Sequence, residues 1–150
     1  MDVSAERVID APAETVYACI ADVRRQHPHF LPPAFSDFQV VEGGVGAGSV
    51  VQFTFTAGGR SRRYRMVMAE PEPGRVITES DTGSSLVTTF TVTKVEKGTR
   101  VRIESAWEGA GGVGGFFERL FAPRTLRRIY LDELARLDAY ARGVEGGGAG

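Results

Sequence analysis

The segment Val51-Gln52-Phe53-Thr54-Phe55-Thr56 alternates apolar and polar side chains over six residues. Successive side chains of a β-strand point to opposite faces, so this period of two predicts a strand with one apolar face. After the turn at Ala57-Gly58-Gly59 the alternation returns in residues 63–68, where Tyr64, Met66 and Met68 share a face and arginines occupy the other. The two segments therefore predict an antiparallel hairpin.

Further strands are predicted on both sides of this hairpin. Residues 2–9 form a first strand whose buried face the alternation does not decide, and the same period resumes from about residue 35. Turns at Pro71–Gly74, Thr82–Ser84 and Lys97–Gly98 separate strands over about 75–81, 86–92 and 100–107. Strands at this spacing, joined by short turns, predict an antiparallel meander.

Helical patterns occur near both ends of the chain. Pro12 and Glu14 begin a short helix after the first strand, and Asp22 opens a second helix-like stretch that ends at the prolines 28, 32 and 33. A glycine-rich breaker over 109–115 separates the last strand from about 27 residues of helical period, in which Pro123 breaks, kinks or begins a helix. One face of this long helix carries Leu126, Tyr130, Leu134, Leu137 and Ala141, and the other largely carries Arg127, Asp132, Glu133 and Arg136.

The order of elements predicts an α+β fold. Six or seven antiparallel strands with one apolar face need a cover, and the terminal helix is the only long element available for it. A sheet of this size twists and curves around the helix. We expect a single domain over residues 1–142, followed by a flexible glycine-rich tail over 143–150 that cannot bury enough surface to order itself.

The composition excludes several classes of protein. A net charge of −1 lacks the basic field that nucleic-acid binding requires. One cysteine, Cys19, permits neither an internal disulfide nor a cysteine-based metal cluster, and its position favours a small buried side chain. The sequence has no apolar run long enough to span a bilayer and no secretory leader pattern, so we expect a cytoplasmic bacterial-type protein without stable membrane insertion. It does not decide between a monomer and a homodimer.

The chain resembles the SRPBCC (START-like, helix-grip) superfamily, in its branch of polyketide cyclases/dehydratases and lipid transport proteins. The resemblance covers about residues 2–141. It rests on Ile9–Tyr17 with Ile20-Ala21-Asp22, on His27-Pro28 with Pro32-Pro33, on Val45–Gly48, and on the terminal helix from Leu126 to Tyr140. These residues specify a fold, which by itself does not specify an activity.

The resemblance implies a deep apolar cavity that opens near the short helices. Relatives bind lipids, sterols, quinones, polyketides or plant hormones, and a minority catalyse ring closure or dehydration. The iron site of the related ring hydroxylases has no counterpart, because His27 and His29 are the only histidines. We expect no metal and no cofactor, and a small apolar ligand as the partner.

Candidate ligand contacts are the side chains predicted to face the cavity. Polar handles among them are Tyr64, Thr88, Ser105 and Trp107. The full set is Phe53, Phe55, Tyr64, Met66, Met68, Thr88, Phe90, Ile103, Ser105, Trp107, Phe117, Phe121 and Tyr130. Each of them fits an ordinary core position as well.

The candidates for acid–base chemistry are weak. Tyr64 and His27 have suitable groups, but the histidines are better placed at the surface or at the cavity entrance, and their i, i+2 spacing across a proline is unsuited to a metal. Glu79 and Asp81 are predicted to lie on a solvated outer face of the sheet, because arginines and lysines alternate with carboxylates of this kind along the strands. The Gly43–Gly48 segment lacks the lysine of a phosphate loop and is interpreted as a hairpin turn.

Three functions remain open from the sequence. The first is non-enzymatic binding or transport of a lipid- or polyketide-like molecule, and the second is a polyketide aromatase/cyclase or dehydratase that uses Tyr64 or His27. The third is a protein-interaction module like the relatives that activate a chaperone ATPase, with Arg60, Arg62, Arg63 and Arg65 as its only support.

Overall fold

The computed structural model describes residues 1–108 and 123–148. Two helices, α1 (Ala13–Ala21) and α2 (Pro123–Gly148), and a 3₁₀ helix at His27–Phe30 accompany seven strands. The strands are β1 (Asp2–Ile9), β2 (Phe35–Glu42), β3 (Val50–Ala57), β4 (Arg60–Glu72), β5 (Val76–Asp81), β6 (Val87–Val95) and β7 (Gly98–Ala106). This order confirms the predicted α+β helix-grip fold.

All seven strands form one antiparallel sheet in the order β1-β7-β6-β5-β4-β3-β2. Strands β2 to β7 pair in chain order, which confirms the predicted meander. Strand β1 instead pairs with β7, Asp2 opposite Ala106 and Ile9 opposite Thr99. The first and last strands are thus neighbours, and β1 and β2 are the two edges of the sheet.

The inner face of the sheet carries the apolar residues of the alternating pattern. Phe53 and Phe55 of β3 and Tyr64, Met66 and Met68 of β4 are all buried. Val3, Ala5 and Ile9 settle the orientation of β1, which the sequence left undecided, by pointing into the same core. The inner face is therefore continuous from β1 to β3.

Helix α2 lies across this inner face and begins at Pro123. Proline is well suited to a first helical position, so the residue that the sequence leaves as a break, a kink or a start is a start. The predicted stripe is confirmed, because all five of its members are buried: Leu126, Tyr130, Leu134, Leu137 and Ala141. The helix is assigned as far as Gly148, six residues into the segment predicted as a tail.

A carboxylate joins α2 to β1. Asp138 accepts hydrogen bonds from the Arg7 side chain at 3.0 Å and from the Asp10 backbone N–H at 3.0 Å. Burial would raise the pKa of Asp138, but these donors and the Arg142 charge outweigh it and lower the pKa. The long helix is thereby held in register against the first strand.

The segment after β1 differs in detail from its prediction. Pro12 caps α1 from outside the helix, and Asp22 ends it instead of opening a second helix. In the turn that follows, the Asp22 side chain accepts from the backbone N–H of Arg25 at 2.9 Å. The second short helix is the 3₁₀ helix that begins at His27. Aspartate is equally suited to capping a turn and to starting a helix, so the sequence alone does not separate these roles.

The glycine-rich segment between β2 and β3 is a turn, as predicted. Its glycines 43, 44, 46 and 48 have positive φ angles. Glu70 on β4 holds the turn by accepting from the Ala47 N–H at 2.9 Å and from the Tyr17 hydroxyl at 2.5 Å. The Tyr17 hydrogen bond and the Ala47 N–H lower the pKa of Glu70, while burial and the Glu70 carboxylate raise the pKa of Tyr17 to about 12.

Gly98→Ala is expected to destabilise the β6–β7 hairpin strongly. Gly98 has a φ of +105°, and a Cβ at this position would collide with the carbonyl oxygen of Ile9. Backbone strain of this kind costs about 1–3 kcal/mol, to which the collision adds. Urea unfolding measures the loss, with Gly59→Ala as the control, because Gly59 has a φ of +76° and open space around it. Equal losses in the two variants would contradict the role of Ile9.

Candidate functional site

A cavity of about 50 Å³ lies between the inner face of the sheet and α2. Strands β2 to β6, the 3₁₀ helix and α2 contribute to its wall. Among the described residues it is lined by His27, Leu31, Phe35, Phe38, Phe53, Phe55, Tyr64, Met66, Glu79, Leu86, Thr88, Phe90, Leu126, Tyr130 and Glu133. The wall is mainly aromatic and aliphatic, with polar groups concentrated on β5, β6, α2 and the 3₁₀ helix.

One end of the cavity approaches the surface. Leu31, Phe35 and Phe38 are half-buried, whereas the other lining residues are buried. The ring of Phe35 meets Phe53 and Phe55 edge-on at centroid distances of 5.3 and 5.0 Å. We call Leu31, Phe35 and Phe38 the mouth residues, because they separate the cavity from solvent near the 3₁₀ helix.

The polar part of the wall contains an imidazole and two carboxyl groups from three elements. The His27 ring donates from Nδ1 to the Ile20 carbonyl at 2.8 Å, which satisfies a free carbonyl at the end of α1. Its Nε2 then faces Glu133, whose Oε2 lies 3.8 Å away. Glu79 of β5 lines the same cavity and interacts electrostatically with both groups. We call Glu79, His27 and Glu133 the acid cluster.

Burial governs the protonation of the acid cluster. Burial alone would lower the pKa of His27, but the Glu133 and Glu79 carboxylates and the Ile20 carbonyl raise it above its ordinary value. For Glu79, burial raises the pKa; the His27 charge opposes this effect and the Glu133 charge adds to it. The cluster therefore favours a charged imidazole beside Glu133 and a protonated Glu79 carboxyl.

A row of hydroxyl groups lies beside the acid cluster. Thr88 is directly opposite Glu79 in the β5–β6 pairing, and Ser105 is directly opposite Thr88 in the β6–β7 pairing. Thr88 Oγ1 and Ser105 Oγ are 2.6 Å apart, and Ser105 also shares a short hydrogen bond with the Tyr130 hydroxyl. The register of three strands thus aligns a carboxyl group with a chain of hydroxyls that ends on α2.

Tyr64 contributes its ring and hydroxyl to another part of the wall. The Arg62 guanidinium lies 4.5 Å from the centre of its ring, and Arg62 also forms an ion pair with Asp81 at 3.2 Å. Burial raises the pKa of Tyr64, although Arg62 opposes this effect. The Tyr64 hydroxyl therefore stays protonated throughout the physiological range.

Seven of the predicted ligand contacts lie in the cavity wall. They are Phe53, Phe55, Tyr64, Met66, Thr88, Phe90 and Tyr130. Met68, Ile103, Ser105 and Trp107 are buried in the core but do not line the cavity. Phe117 and Phe121 lie outside the described residues, as does the glycine-rich breaker over 109–115.

Three polar residues are buried where the sequence prediction placed them near or at the surface. His27 is only 3% exposed instead of lying at the surface or entrance, and Glu79 and Asp81 are 9% and 8% exposed instead of solvated. Glu79 and Asp81 are buried because they lie on the same face of β5 as Ile77, the large buried residue of this strand. That shared face was a signal available in the sequence.

Glu133 is also buried, at 3% exposure, although the prediction placed it on the outer face of the helix. It lies three residues after Tyr130 and four before Leu137, both members of the apolar stripe, so helical spacing puts it at the edge of the stripe. His27 offers no such pattern. Its burial follows from the path of the chain after α1, which the sequence does not reveal.

The basic cluster on the β3–β4 hairpin is divided between two faces. Arg62 points inward to Tyr64 and Asp81, whereas Arg63 points outward and donates to Gln39 at 3.2 Å and Gln52 at 3.4 Å. The two arginines are therefore engaged on opposite faces of β4. The structure therefore gives little support to a docking surface at this hairpin.

Several absences concern the described part of the chain only. In residues 1–108 and 123–148, no three histidine, cysteine, aspartate or glutamate side chains are grouped as metal ligands. Within the same ranges no helix is long and apolar enough to cross a membrane.

Comparison with solved structures finds close matches over nearly the whole chain. The solution structure of the KanY protein has 34% sequence identity and a TM-score of 0.84, and the match covers 95% of this chain and 97% of that one. The protein TTHA0849 from Thermus thermophilus has 21% identity and a TM-score of 0.78, with 96% and 99% of the two chains covered. The Zhui aromatase/cyclase from Streptomyces sp. R1128 has 17% identity and a TM-score of 0.71, with 95% and 93% covered.

For the two structures with 21% and 17% sequence identity, the structural similarity shows only that they share the fold of this chain. No curated protein sequence matches this chain. Residues 1–142, however, match the family described as polyketide cyclase/dehydrase and lipid transport. The chain belongs to this SRPBCC-type family, as the resemblance of its sequence implies.

Proposed function

We propose that the protein binds a small, mostly apolar molecule in the cavity between the sheet and α2. The observation that supports this proposal most directly is the composition of the cavity wall. Aromatic rings from β2, β3, β4 and β6 surround an apolar space, and a few polar groups converge at one side of it. Apolar walls with a small number of placed polar groups are typical of small-molecule sites.

The size of the cavity implies that a ligand has to widen it. At about 50 Å³ the space holds only a few water molecules, whereas sites for drug-sized ligands measure roughly 300–1,000 Å³. The mouth residues Leu31, Phe35 and Phe38 are half-exposed, so their side chains can rotate outward without unfolding the sheet. Binding is thus proposed to open the mouth rather than fill a preformed hollow.

Native mass spectrometry of freshly purified protein tests the proposal, together with organic extraction and titration with an uncharged apolar fluorescent probe such as N-phenyl-1-naphthylamine. We expect a mass shift or an extractable compound, and saturable binding of the probe at one site per chain. A protein that is folded but carries no extractable molecule and binds no apolar probe would contradict the proposal.

Leu86→Trp is expected to block the cavity. Leu86 is buried in the cavity wall just before β6, and an indole at this position fills the remaining space. We expect the affinity for the fluorescent probe to fall at least tenfold. Val67→Trp is the matched control, because Val67 lies on the outer face of β4 and is 38% exposed. An equal loss in both variants would show that the probe binds elsewhere.

Catalysis of ring closure or dehydration is the second candidate, and the acid cluster favours it. The sequence alone indicates an apolar inner face without an acid–base pair, but Glu79, whose pKa is raised by burial, lines the same cavity as the His27–Glu133 pair. A carboxyl group of raised pKa that shares a cavity with an imidazole is an arrangement suited to proton transfer. Turnover of a polyketide-like substrate that survives both His27→Ala and Tyr64→Phe would exclude the two residues first suspected of this role.

A further inference from the structure

The Glu79 carboxyl group is buried and lacks a hydrogen-bond donor among the described residues. It is 9% exposed, it lines the cavity, and the influences on it are burial and the charges of His27 and Glu133. Glu133, by contrast, has the imidazole of His27 within ion-pair distance. A carboxyl group that lines a mostly apolar cavity beside a second carboxyl group calls for an explanation.

The charges around Glu79 do not balance. Three elements contribute ionisable groups to this part of the wall. Strand β5 contributes Glu79 and the 3₁₀ helix contributes His27. Helix α2 contributes Glu133 and the neutral hydroxyl of Tyr130. The neighbouring Arg62–Asp81 pair is neutral as a unit. Two carboxyl groups therefore share one imidazole, and full ionisation would leave one uncompensated negative charge in a mostly apolar cavity.

An uncompensated charge in such a space is costly, so a positive group has to neutralise it. In the empty cavity burial favours a proton on Glu79, because it raises the pKa of that carboxyl. A ligand that brings its own positive charge replaces this proton and donates hydrogen bonds to the carboxylate. The rings of Phe90 and Phe53 in the same wall also favour a cation, because aromatic faces attract positive charge.

We propose that the ligand of the cavity is an apolar molecule with a basic nitrogen, which binds as an ammonium ion to the Glu79 carboxylate. This proposal rests on the function proposed above and specifies the chemical class of the ligand. The apolar part occupies the aromatic end of the cavity near the mouth residues. The nitrogen lies beside Glu79, while Glu133 retains His27 as its partner.

Proton release follows from this mode of binding. Below its own pKa the free amine is already an ammonium ion, so it brings its proton with it. The proton that leaves is the one on Glu79, and it passes to the buffer. The amine is therefore expected to bind more tightly as the pH rises from 5 to 8, because Glu79 ionises more readily at the higher pH.

Three probes that share one ring and one carbon separate charge from apolar contact: benzylamine, benzyl alcohol and benzoate. We expect calorimetric titration at pH 7 to give benzylamine at least a tenfold higher affinity than benzyl alcohol, with benzoate the weakest. Titration in two buffers of different ionisation enthalpy should show proton release with benzylamine and none with benzyl alcohol. This measurement needs no variant.

Glu79→Gln tests the named residue. The amide retains the shape of the side chain without its charge, and we expect the preference for benzylamine over benzyl alcohol to fall below twofold. Glu104→Gln is the control, because Glu104 lies on the outer face of β7 and should leave the preference unchanged. Circular dichroism establishes that both variants are folded.

The possible failures are distinguishable. Equal affinity for benzylamine and benzyl alcohol, or a preference that persists in Glu79→Gln, would overturn the amine proposal and leave apolar binding intact. If Glu79 is only hydrated by water in the cavity, benzylamine and benzyl alcohol would again bind equally well, and the amine proposal would be overturned. Failure of all three probes and of the fluorescent probe to bind would instead overturn the proposed binding function.

Discussion

Glu133→Gln is expected to lower the free energy of unfolding by about 3 kcal/mol at pH 6, since removing one partner of a buried ion pair costs roughly 3–5 kcal/mol. The amide leaves the His27 imidazole buried beside α2 without its nearest counter-charge. Urea unfolding followed by the fluorescence of Trp107, the single tryptophan, measures the change.

The loss is expected to shrink as the pH rises. In the wild-type protein the pKa of His27 is raised above its ordinary value, so the pair stabilises the fold below about pH 6.5, the ordinary pKa of histidine. This contribution disappears as the pH rises through the folded-state pKa. At pH 9 the variant and the wild type should therefore differ less than at pH 6.

Two further variants complete this experiment. Asp132→Asn removes the exposed Asp132–Arg136 pair on the adjacent position of α2 and should cost less than about 1 kcal/mol. Replacing both Glu133 and His27 by leucine should recover part of the loss, because a buried pair can be exchanged for apolar side chains more easily than it can be broken. A Glu133→Gln protein as stable as the wild type at pH 6 would show that Glu79 compensates fully for the missing carboxylate.

Leu134→Ala is expected to destabilise the protein by about 2–5 kcal/mol, the range found when a buried leucine is truncated and leaves a cavity. Leu134 is fully buried at the centre of the apolar stripe of α2, in the core that this helix forms with β1 and α1. Thermal and urea unfolding measure the effect independently. The expected result is a lower midpoint with an unchanged urea slope, because the fold itself persists.

Leu131→Ala provides the control on the same helix. Leu131 is 44% exposed, so the same chemical change removes little buried surface and should cost less than about 1 kcal/mol. Similar losses at positions 131 and 134 would contradict the role assigned to packing against the sheet, because helix propensity by itself favours alanine over leucine.

The sequence predicts the fold well because the fold depends on periodicity. The alternation in β3 and β4 and the stripe from Leu126 to Ala141 each identify an element and its buried face. Pairing of β1 with β7 was not visible in these patterns, because alternation describes one strand at a time and not its partner.

The cavity site was less predictable, because its polar residues break the rules by which buried faces are recognised. Glu79 and Glu133 are charged side chains at positions whose spacing marks them as inward, and the expectation that carboxylates are solvated outweighed that spacing. For both, the face shared with Ile77 or with Tyr130 was the more reliable signal. Polar residues on a buried face are expected chiefly at functional sites.

The pairing of β1 with β7 has a consequence for the protein during its synthesis on the ribosome. Strand β1 is synthesised before the other six strands, whereas its hydrogen-bonding partner β7 and the helix α2 that covers it come after them. Until then its backbone groups and the side chains of Val3, Ala5 and Ile9 have no place in the sheet. A nascent chain halted before β7 therefore exposes an unpaired strand, the kind of segment that chaperones hold and that aggregates form around.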